Sequence, residues 1–356
     1  MMAHTPRSPQ QKGRGHIGGV TQRRGRLEAI SSANLTRRWG VILAGGDGIR
    51  LRPLTRFICG DDRPKQFCPL LGDSSLIQEA RQRAERSIHP DQILYSVTRA
   101  HQDYYVRDLA DRRSQRVVQP GNRGTAPAIL STLLCISQMD PDAIVAILPC
   151  DHYYSEESAF TSALESAFAI AEKRTESIVL LGAKPKAPEV EYGWIELGDS
   201  VVGSHPGAFH VRGFQEKPPL PVAERLLRSG SLWNTFVMVG HVGAFLDMAV
   251  ASVPGLLEAL RSASFLLGSD SETRIAEWLY DMIVPTDFSR HVLSPGARRL
   301  VTMPLGEVEW NDLGDPDRVL STLLSTGRDV PKWAVQWRRE TKVKRHRDQR
   351  MSMAVA

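Results

Sequence analysis

The sequence predicts an α/β protein with a doubly wound, mostly parallel sheet, a strand-rich second part and a helical C-terminal part. Short apolar runs alternate with stretches of helical spacing from Trp39 to about Ser177, a pattern typical of strand-helix-strand units. From about Pro185 strand patterns dominate, and helical patterns return after Gly240. Because such sheets bind ligands at the carboxyl ends of their strands, the segments that follow the strands are the candidates for a site.

Apolar runs predict strands of the first part at 41–43, 93–97, 116–119, 144–148 and 178–181. Helical spacing predicts helices between these runs at 75–86, 102–112, 125–139 and 158–173, the third of them capped by Thr125. Further helical patterns lie at 243–252, 255–264 and 272–281. The alternation predicts a Rossmann-like arrangement, in which the segments after the first and fourth runs reach one crevice.

Length and composition are those of a protein that buries a sizeable core. The chain has 356 residues, of which 42% are hydrophobic, enough for one large domain and a smaller part. Residues 1–38 carry eight Lys or Arg and one Glu, a net +7, and residues 331–356 carry eight against two acids, a net +6. With a total of +5, the body between these tails is at −8. A nucleic-acid-binding body is therefore not predicted, and no apolar run approaches the ~18 residues that span a membrane.

The tails and the cysteines indicate the compartment. Residues 1–38 have no periodic apolar pattern and no signal-peptide core, so we expect a disordered basic tail. Residues 326–356 form a second basic tail, either a docking segment or disordered. The cysteines are Cys59, Cys68, Cys135 and Cys150. Their spacing is not that of a metal site, which favours reduced thiols and a cytoplasmic location. The oligomeric state stays open between a monomer and a homodimer.

The most informative stretch, Gly45-Gly46-Asp47-Gly48, begins where the first apolar run ends. Three glycines in four positions let a backbone approach a ligand closely and turn its N–H groups towards it. Arg50 and Lys65 follow and would neutralise negative charge. A P-loop is excluded because no Lys-Ser or Lys-Thr follows Gly48, and the dinucleotide fingerprint because Leu51 stands where its third glycine belongs. The stretch predicts a site for a chain of phosphates, with a ligand-free turn as the alternative.

Further motifs follow AGGDGIRLRPLT and PKQF. They are QPGNRGTAPAI (119–129), LPCDH (148–152), EYGWIE (191–196), FQEKP (214–218), LWNTFVMVG (232–240) and EWNDLG (309–314). Together, over residues 39–325, they resemble the sugar-1-phosphate nucleotidyltransferases, and PKQF points to the mannose-1-phosphate guanylyltransferase branch. The resemblance implies that a nucleoside triphosphate, with GTP expected, reacts with a hexose 1-phosphate, with mannose 1-phosphate expected, to give GDP-mannose and pyrophosphate.

The resemblance also implies roles for individual residues, with a nucleotide-binding half over 39–184 and a sugar-binding half over 185–325. The implied nucleotide-binding residues are Leu43, Ala44, Gly45, Gly46, Gly48, Arg50, Lys65, Arg123, Thr125 and Ala126. The implied sugar-phosphate-binding residues are Tyr192, Gly193, Glu216, Lys217 and Asn234. Arg50, Lys65, Asp151 and Lys217 would be catalytic, and Mg²⁺ would be held by Asp151 and Asp312.

The residues themselves support these roles unequally. Asp151 directly follows a predicted strand, and Mg²⁺ usually takes one or two carboxylates together with substrate phosphates. A lone Asp at a strand end is more often a turn residue, so the assignment depends on Asp312 as its partner. Glu216 and Lys217 point to opposite faces unless the strand ends there, which Pro218 favours. The alternative for this pair is an exposed surface ion pair.

Departures from the family pattern leave the specificity open. They are Ile49, Arg52, Gln119 and Gly124. Ile49 stands where relatives usually carry Thr or Ser, and Gln119 and Gly124 replace a Glu and an Asn beside the implied base site. The favoured interpretation is a mannose-1-phosphate guanylyltransferase. The second is the same chemistry with another pair, such as glucose or heptose 1-phosphate with another nucleotide, and the third is a nucleotide-sugar-binding regulator without turnover. Relatives with a second, isomerase activity carry a further β-barrel domain, and we expect this chain to be too short for it.

Overall fold

The computed structural model describes residues 37–112, 115–202, 207–265, 277–278, 280–326 and 330–342. The expectation for residues 1–36 and most of the helix predicted at 272–281 fall outside these residues. The strands are β1 Arg38–Leu43, β2 Ile93–Thr98, β3 Arg116–Gln119, β4 Ile144–Pro149, β5 Tyr153–Tyr154, β6 Ile178–Ala183, β7 Gly193–Ser200, β8 Phe209–Glu216, β9 Leu232–His241, β10 Leu300–Pro304 and β11 Trp310–Asn311. The helices are α1 Arg52–Cys59, α2 Leu76–Ala84, α3 Gln102–Asp108, α4 Thr125–Met139, α5 Glu157–Lys173, α6 Leu220–Arg228, α7 Val242–Ser252, α8 Pro254–Phe265, α9 Pro316–Ser325 and α10 332–342.

Nine of the described strands form one sheet in the order β3-β2-β1-β4-β9-β6-β10-β8-β7. β3, β2, β1 and β4 run parallel, which confirms the predicted first half. β9 lies between β4 and β6 and is antiparallel to both, and β7 and β8 pair antiparallel at the far edge. The sequence did not predict β9 as an individual strand, because Asn234 and Thr235 interrupt its apolar run.

The predicted strands of the first half are all present, and its helices are confirmed with shifted ends. α2 begins one residue later than predicted, because Ser75 and Gln78 form a capping box around its start. α4 has the predicted bounds, but the prediction that Thr125 caps it was wrong. Gly124 occupies the cap position, and Thr125 is the first residue of the helix.

Apolar side chains cover both faces of the sheet. Neighbouring strand residues point to opposite faces, so Val41 and Ile42 of β1 belong to different cores. Helices α2 and α5 cover one face, and α4, α7 and α8 cover the other. A third, smaller core lies between α1, α9 and α10.

Among the residues that the structure describes, no single helix is long and apolar enough to span a membrane. Of the described helices, only α7 and α8 taken together reach that length and composition, and they are bent by 117° relative to each other.

Candidate active site

The glycine-rich loop leaves the carboxyl end of β1 and is held by side chains from other segments. Gln66 donates from Nε2 to the carbonyl oxygens of Ala44 at 3.0 Å and Gly46 at 2.7 Å. Thr98, the last residue of β2, donates to the carbonyl oxygen of Gly45 at 3.0 Å. These bonds satisfy carbonyl acceptors of the loop from within the protein, which suits a loop that offers N–H donors to an anion.

The loop ends at Gly48, whose φ of +56° lies in the left-handed region. A Cβ atom there would lie 3.1 Å from the backbone nitrogen of Lys65, so the position needs both the torsion and the small size of glycine. Asp47 accepts a hydrogen bond from Nδ2 of Asn122 at 2.8 Å, and its other oxygen lies 3.2 Å from Nε2 of His101. The loop is therefore fixed from the Lys65 side and from the opposite side of the crevice.

Lys65 brings three distant motifs together. Its side chain is buried, and Nζ donates to the carbonyl oxygens of Asp312 at 2.6 Å and Leu313 at 3.1 Å. The same atom lies 3.1 Å from Oδ2 of Asp151. Leu313 has φ of +48°, a conformation that costs an L-residue roughly 1–2 kcal/mol. Strain of this kind is typical of functional sites, where the surrounding structure imposes it.

Asp312 is held as an ionised carboxylate. Within the described structure its Oδ1 accepts hydrogen bonds from Oη of Tyr192 at 3.0 Å, Nη1 of Arg318 at 2.9 Å and the backbone nitrogen of Gly314 at 3.0 Å. Burial raises the pKa of Asp312, but the positive charges of Lys65 and Arg318 outweigh it, and the pKa is below its ordinary value. With its donors on Oδ1, the carboxylate has Oδ2 to offer to a cation.

Asp151 lies two residues after the end of β4 and beside His152. The His152 side chain is 12% exposed, and its Nδ1 accepts a hydrogen bond from Nε1 of Trp310 at 3.3 Å. Burial lowers the pKa of His152, so the ring is neutral and supports Asp151 by packing. Across the parts of the chain that the structure describes, no group of three or more His, Cys, Asp or Glu side chains forms a complete metal site. Asp151 and Asp312, joined through Lys65, fit a cation such as Mg²⁺ that takes its remaining ligands from substrate phosphates.

The predicted sugar-phosphate residues meet at one edge of β7, β8 and β9. Gly193 pairs with Glu216, and a Cβ atom on this glycine would lie 2.7 Å from Oε2 of Glu216 and 3.2 Å from Cβ of Asn234. β8 ends at Glu216, as predicted. Lys217 then adopts φ of +49° and donates its backbone N–H to the carbonyl oxygen of Tyr192 at 3.1 Å. The alternation of strand faces therefore ends at Glu216 and does not extend to Lys217.

Two polar groups at this edge, the half-buried Glu216 and the buried Asn234, suit sugar hydroxyls. Burial, assisted by the charge of Asp287, raises the pKa of Glu216 to about 7, and the nearby Lys217 offsets this only in part. The carboxyl group is thus near its midpoint at neutral pH, where it can donate or accept a hydrogen bond. Asn234 is 7% exposed, and its Oδ1 accepts the backbone N–H of Phe236 at 3.1 Å. This bond leaves its amide nitrogen as a donor for a ligand.

The segment 280–288 is bonded to the predicted base-binding residues at the start of α4. The backbone of Thr286 accepts from the nitrogen of Ala126 at 3.0 Å and donates to the carbonyl oxygen of Arg123 at 2.9 Å. The hydroxyl of Thr125 accepts from the backbone nitrogen of Phe288 at 2.7 Å. This segment therefore packs against the residues predicted to bind the base, a contact that the sequence motifs did not reveal.

The segment 280–288 also explains Gly124 and Gln119, which depart from the family pattern in this region. Gly124 has φ of +90°, and a Cβ atom there would lie 2.5 Å from the carbonyl oxygen of Thr286. Gln119 is buried, accepts a hydrogen bond from Oη of Tyr280 at 2.7 Å and donates to Oγ of Ser96 at 3.0 Å. Both positions are thus fitted to neighbours within the protein.

Arg50 extends from the loop towards the sugar side. Its Nη1 lies 3.2 Å from Oε2 of Glu191, and the two side chains are 57% and 46% exposed. Exposed pairs of this kind contribute roughly 0–1 kcal/mol, so Arg50 is only weakly held by Glu191. Ile49 beside it is 66% exposed and makes the rim of the loop apolar where a hydroxyl is usual.

Sequence reasoning missed several residues that build the site. Gln66 lies within a recognised motif, and a buried amide beside a glycine loop is a signal that could have identified its role. Arg318 and Glu189 lie outside the motifs, and their ion pair of 2.6 Å joins segments 129 residues apart. No local pattern predicts such a pair.

Comparison with known proteins identifies relatives of this chain. Residues 39–325 match the family model described as nucleotidyl transferase. The xanthan biosynthesis protein XanB of Xanthomonas campestris pv. campestris is 32% identical over 292 residues, which is 81% of this chain and 60% of the relative. The mannose-1-phosphate guanylyltransferase ManC of Salmonella typhimurium is 29% identical over 287 residues, 78% of this chain and 58% of the relative. The chain spans about three fifths of the length of these curated relatives.

A comparison with solved structures points to the same family. A crystal structure described as mannose-1-phosphate geranyltransferase from Thermus thermophilus superposes with a TM-score of 0.69 and 28% identity, covering 82% of this chain and 80% of that one. The family match includes every segment of the site, from the loop after β1 to Arg318 on α9. This chain belongs to the nucleotidyl transferase family.

Proposed function

We propose that this protein transfers a nucleotidyl group from a nucleoside triphosphate to a hexose 1-phosphate and releases pyrophosphate, with GTP and mannose 1-phosphate as the favoured pair. Relatives named mannose-1-phosphate guanylyltransferase support this pair. The observation that carries the proposal is the position of the Lys65 ammonium group. It lies 3.1 Å from Oδ2 of Asp151 and donates to the backbone carbonyl of Asp312, while the backbone of Lys65 packs against the glycine loop at Gly48.

The proposed reaction needs no general base, because the attacking phosphate oxygen of the hexose 1-phosphate is already anionic. This oxygen attacks the α-phosphorus, the bond from the α-phosphorus to the β-bridging oxygen breaks, and pyrophosphate leaves with the electron pair. The protein then contributes positioning and charge neutralisation. In this proposal the loop N–H groups, Arg50 and Lys65 hold the triphosphate. Lys217 holds the sugar phosphate, and Glu216 and Asn234 orient the sugar.

Asp151 and Asp312 would hold Mg²⁺ together with the phosphates of the substrates. When bound, the cation would supply neutralisation of the negative charge that gathers on the phosphate oxygens. In the free protein Lys65 links the two segments, since it pairs with the carboxylate of Asp151 and donates to the backbone carbonyl of Asp312.

The second candidate is the same reaction with another nucleotide, and Gly124 is the observation that favours it. The carbonyl oxygen of Thr286 lies where a side chain at this position would begin, so the Asn of the family pattern has no counterpart. Gln119 is likewise bonded to Tyr280. The base site therefore presents a different set of donors and acceptors from the family pattern, while the phosphate and sugar residues are retained.

Pyrophosphate release in the presence of Mg²⁺ tests the proposal, with four nucleoside triphosphates combined in turn with mannose, glucose and heptose 1-phosphates. A strong signal only with GTP and mannose 1-phosphate would support the favoured pair. A strong signal with a different pair would support the second candidate. Nucleotide-sugar binding with no release for any pair would refute transfer and favour the regulatory interpretation. Asp151→Asn serves as the control for contaminating activity.

A further inference from the structure

We infer that Arg318 is a positioning residue, which holds the carboxylate of Asp312 and the ring of Tyr192 in the geometry that transfer requires. The inference rests on the proposed function, and it adds a residue that lies outside the recognised motifs. Arg318 is on the first turn of α9, and its side chain is 17% exposed. A charged side chain so deeply placed is expected to be fully engaged by its neighbours.

Arg318 is engaged through every nitrogen of its guanidinium group. Nη1 donates to Oδ1 of Asp312 at 2.9 Å, Nη2 donates to Oε2 of Glu189 at 2.6 Å, and Nε lies 3.3 Å from Oδ2 of Asp315. The guanidinium carbon also lies 4.7 Å from the centroid of the Tyr192 ring. A planar guanidinium can meet these partners together only in one orientation, which an ammonium group cannot reproduce.

The contacts close a triangle between Arg318, Asp312 and Tyr192. Tyr192 donates from Oη to the same Oδ1 of Asp312 that Arg318 contacts, at 3.0 Å, while its ring stacks on the guanidinium. Each of the three side chains therefore fixes the other two. The predicted metal-binding carboxylate and the predicted sugar-binding ring are joined through one arginine.

Hydrogen bonds also hold the backbone at Arg318 and at its partner Glu189. Asp315 is the N-cap of α9 and accepts the backbone N–H of Arg318 at 2.9 Å. Glu189, on the other side, accepts Nε1 of Trp194 at its backbone carbonyl, at 2.8 Å. Arg318 thus links the start of α9 to the segment that leads into β7. Outer partners that orient a metal-binding carboxylate typically change metal affinity or activity by about 10- to 100-fold when they are removed.

The test compares Arg318→Lys and Arg318→Gln with the unaltered protein. We measure kcat, the KM of both substrates, and the binding of Mn²⁺ by electron paramagnetic resonance with the nucleoside triphosphate present. We expect kcat and Mn²⁺ affinity to fall by about 10- to 100-fold, with a near-normal KM for the triphosphate. The kcat and the Mn²⁺ affinity of Arg318→Lys should fall nearly as far as those of Arg318→Gln. Lysine keeps the positive charge but lacks the planar, forked guanidinium group that bonds to two partners and lies over the Tyr192 ring.

The matched control is Arg81, changed in the same two ways. Its side chain is 23% exposed and bonds to Glu85 at 3.0 Å and Asp111 at 2.8 Å, so it resembles Arg318 in burial and pairing. Loss of a half-buried arginine alone should lower the melting temperature in both series. Only the Arg318 series should change kcat and Mn²⁺ affinity.

Unchanged Mn²⁺ affinity in both Arg318 variants would overturn the inference, whatever happens to kcat. Full activity of Arg318→Lys would overturn it too, because charge without orientation would then suffice. Mn²⁺ binding needs no turnover, so the test remains decisive if the unaltered protein transfers nothing, a result that would refute the proposed function separately. Absence of Mn²⁺ binding in the unaltered protein would also overturn the inference.

Discussion

The change Glu216→Gln tests the electrostatics of the sugar side through the pH dependence of stability. Burial raises the pKa of Glu216 from an ordinary 4.5 to about 7. The folded protein therefore retains a proton that the unfolded chain releases over this range. A raised folded-state pKa contributes stability that is complete below pH 4.5 and is lost as the pH rises through about 7. At about 1.36 kcal/mol per pH unit over roughly 2.5 units, the loss approaches about 3 kcal/mol.

Glutamine has nearly the shape of protonated glutamate and no proton to release, so the variant avoids this loss. We expect the two proteins to have similar free energies of unfolding near pH 4.5 and the variant to be more stable above pH 7, by up to about 3 kcal/mol. Urea unfolding at several pH values measures the difference. Glu196→Gln, on the neighbouring strand β7, is the control for the substitution itself. A difference between Glu216→Gln and the unaltered protein that does not change with pH would refute the reasoning.

Three further changes probe the predicted phosphate site, the predicted base site and the C-terminal helix α10. Asp151→Asn should lower kcat by about 10²- to 10³-fold, as loss of one electrostatic stabiliser does, and near-normal turnover would contradict its role. Gly124→Asn should lower the free energy of unfolding by about 1–3 kcal/mol, because of φ of +90° and the Thr286 oxygen 2.5 Å from the added Cβ. Gly121→Asn, which meets nothing within 4 Å, is its control in urea unfolding. Trp337→Ala should lower the free energy of unfolding by about 2–3 kcal/mol, and an unchanged melting curve would show that α10 contributes nothing.

Periodicity was enough to predict the first half of the fold. A parallel strand buried on both faces reads as a short apolar run, and β1, β2 and β4 are such runs separated by helices of ordinary length. The glycine loop was predictable for the same reason, because the torsion at Gly48 and the close approach of Lys65 leave a local trace in the sequence. A backbone geometry that is decided locally is thus reflected in the residue types of the same segment.

The remainder of the site depends on contacts between distant segments. Gly124 looks like the loss of a family residue until the carbonyl oxygen of Thr286, from a segment far along the chain, is found beside it. Arg318 looks like a surface residue on a polar helix start, because its partners Asp312 and Glu189 come from segments outside its own helix. Neither relationship has a period or a spacing, so sequence patterns cannot reveal it. The direction of β9 was missed because pairing is decided by its neighbours and not by its own residues.

The third core gives these distant segments a common support. It contains Leu51 beside the glycine loop, Leu70 after the Lys65 motif and Leu313 beside Asp312. α10 closes it with the buried Ala334 and with Trp337, whose ring lies 5.1 Å from that of Phe57 on α1. The segments that contain the glycine loop, Lys65 and Asp312 thus each contribute a leucine to this one small apolar cluster. A displacement of α10 would therefore reach all three segments at once. Loss of Trp337 is accordingly expected to lower kcat as well as stability.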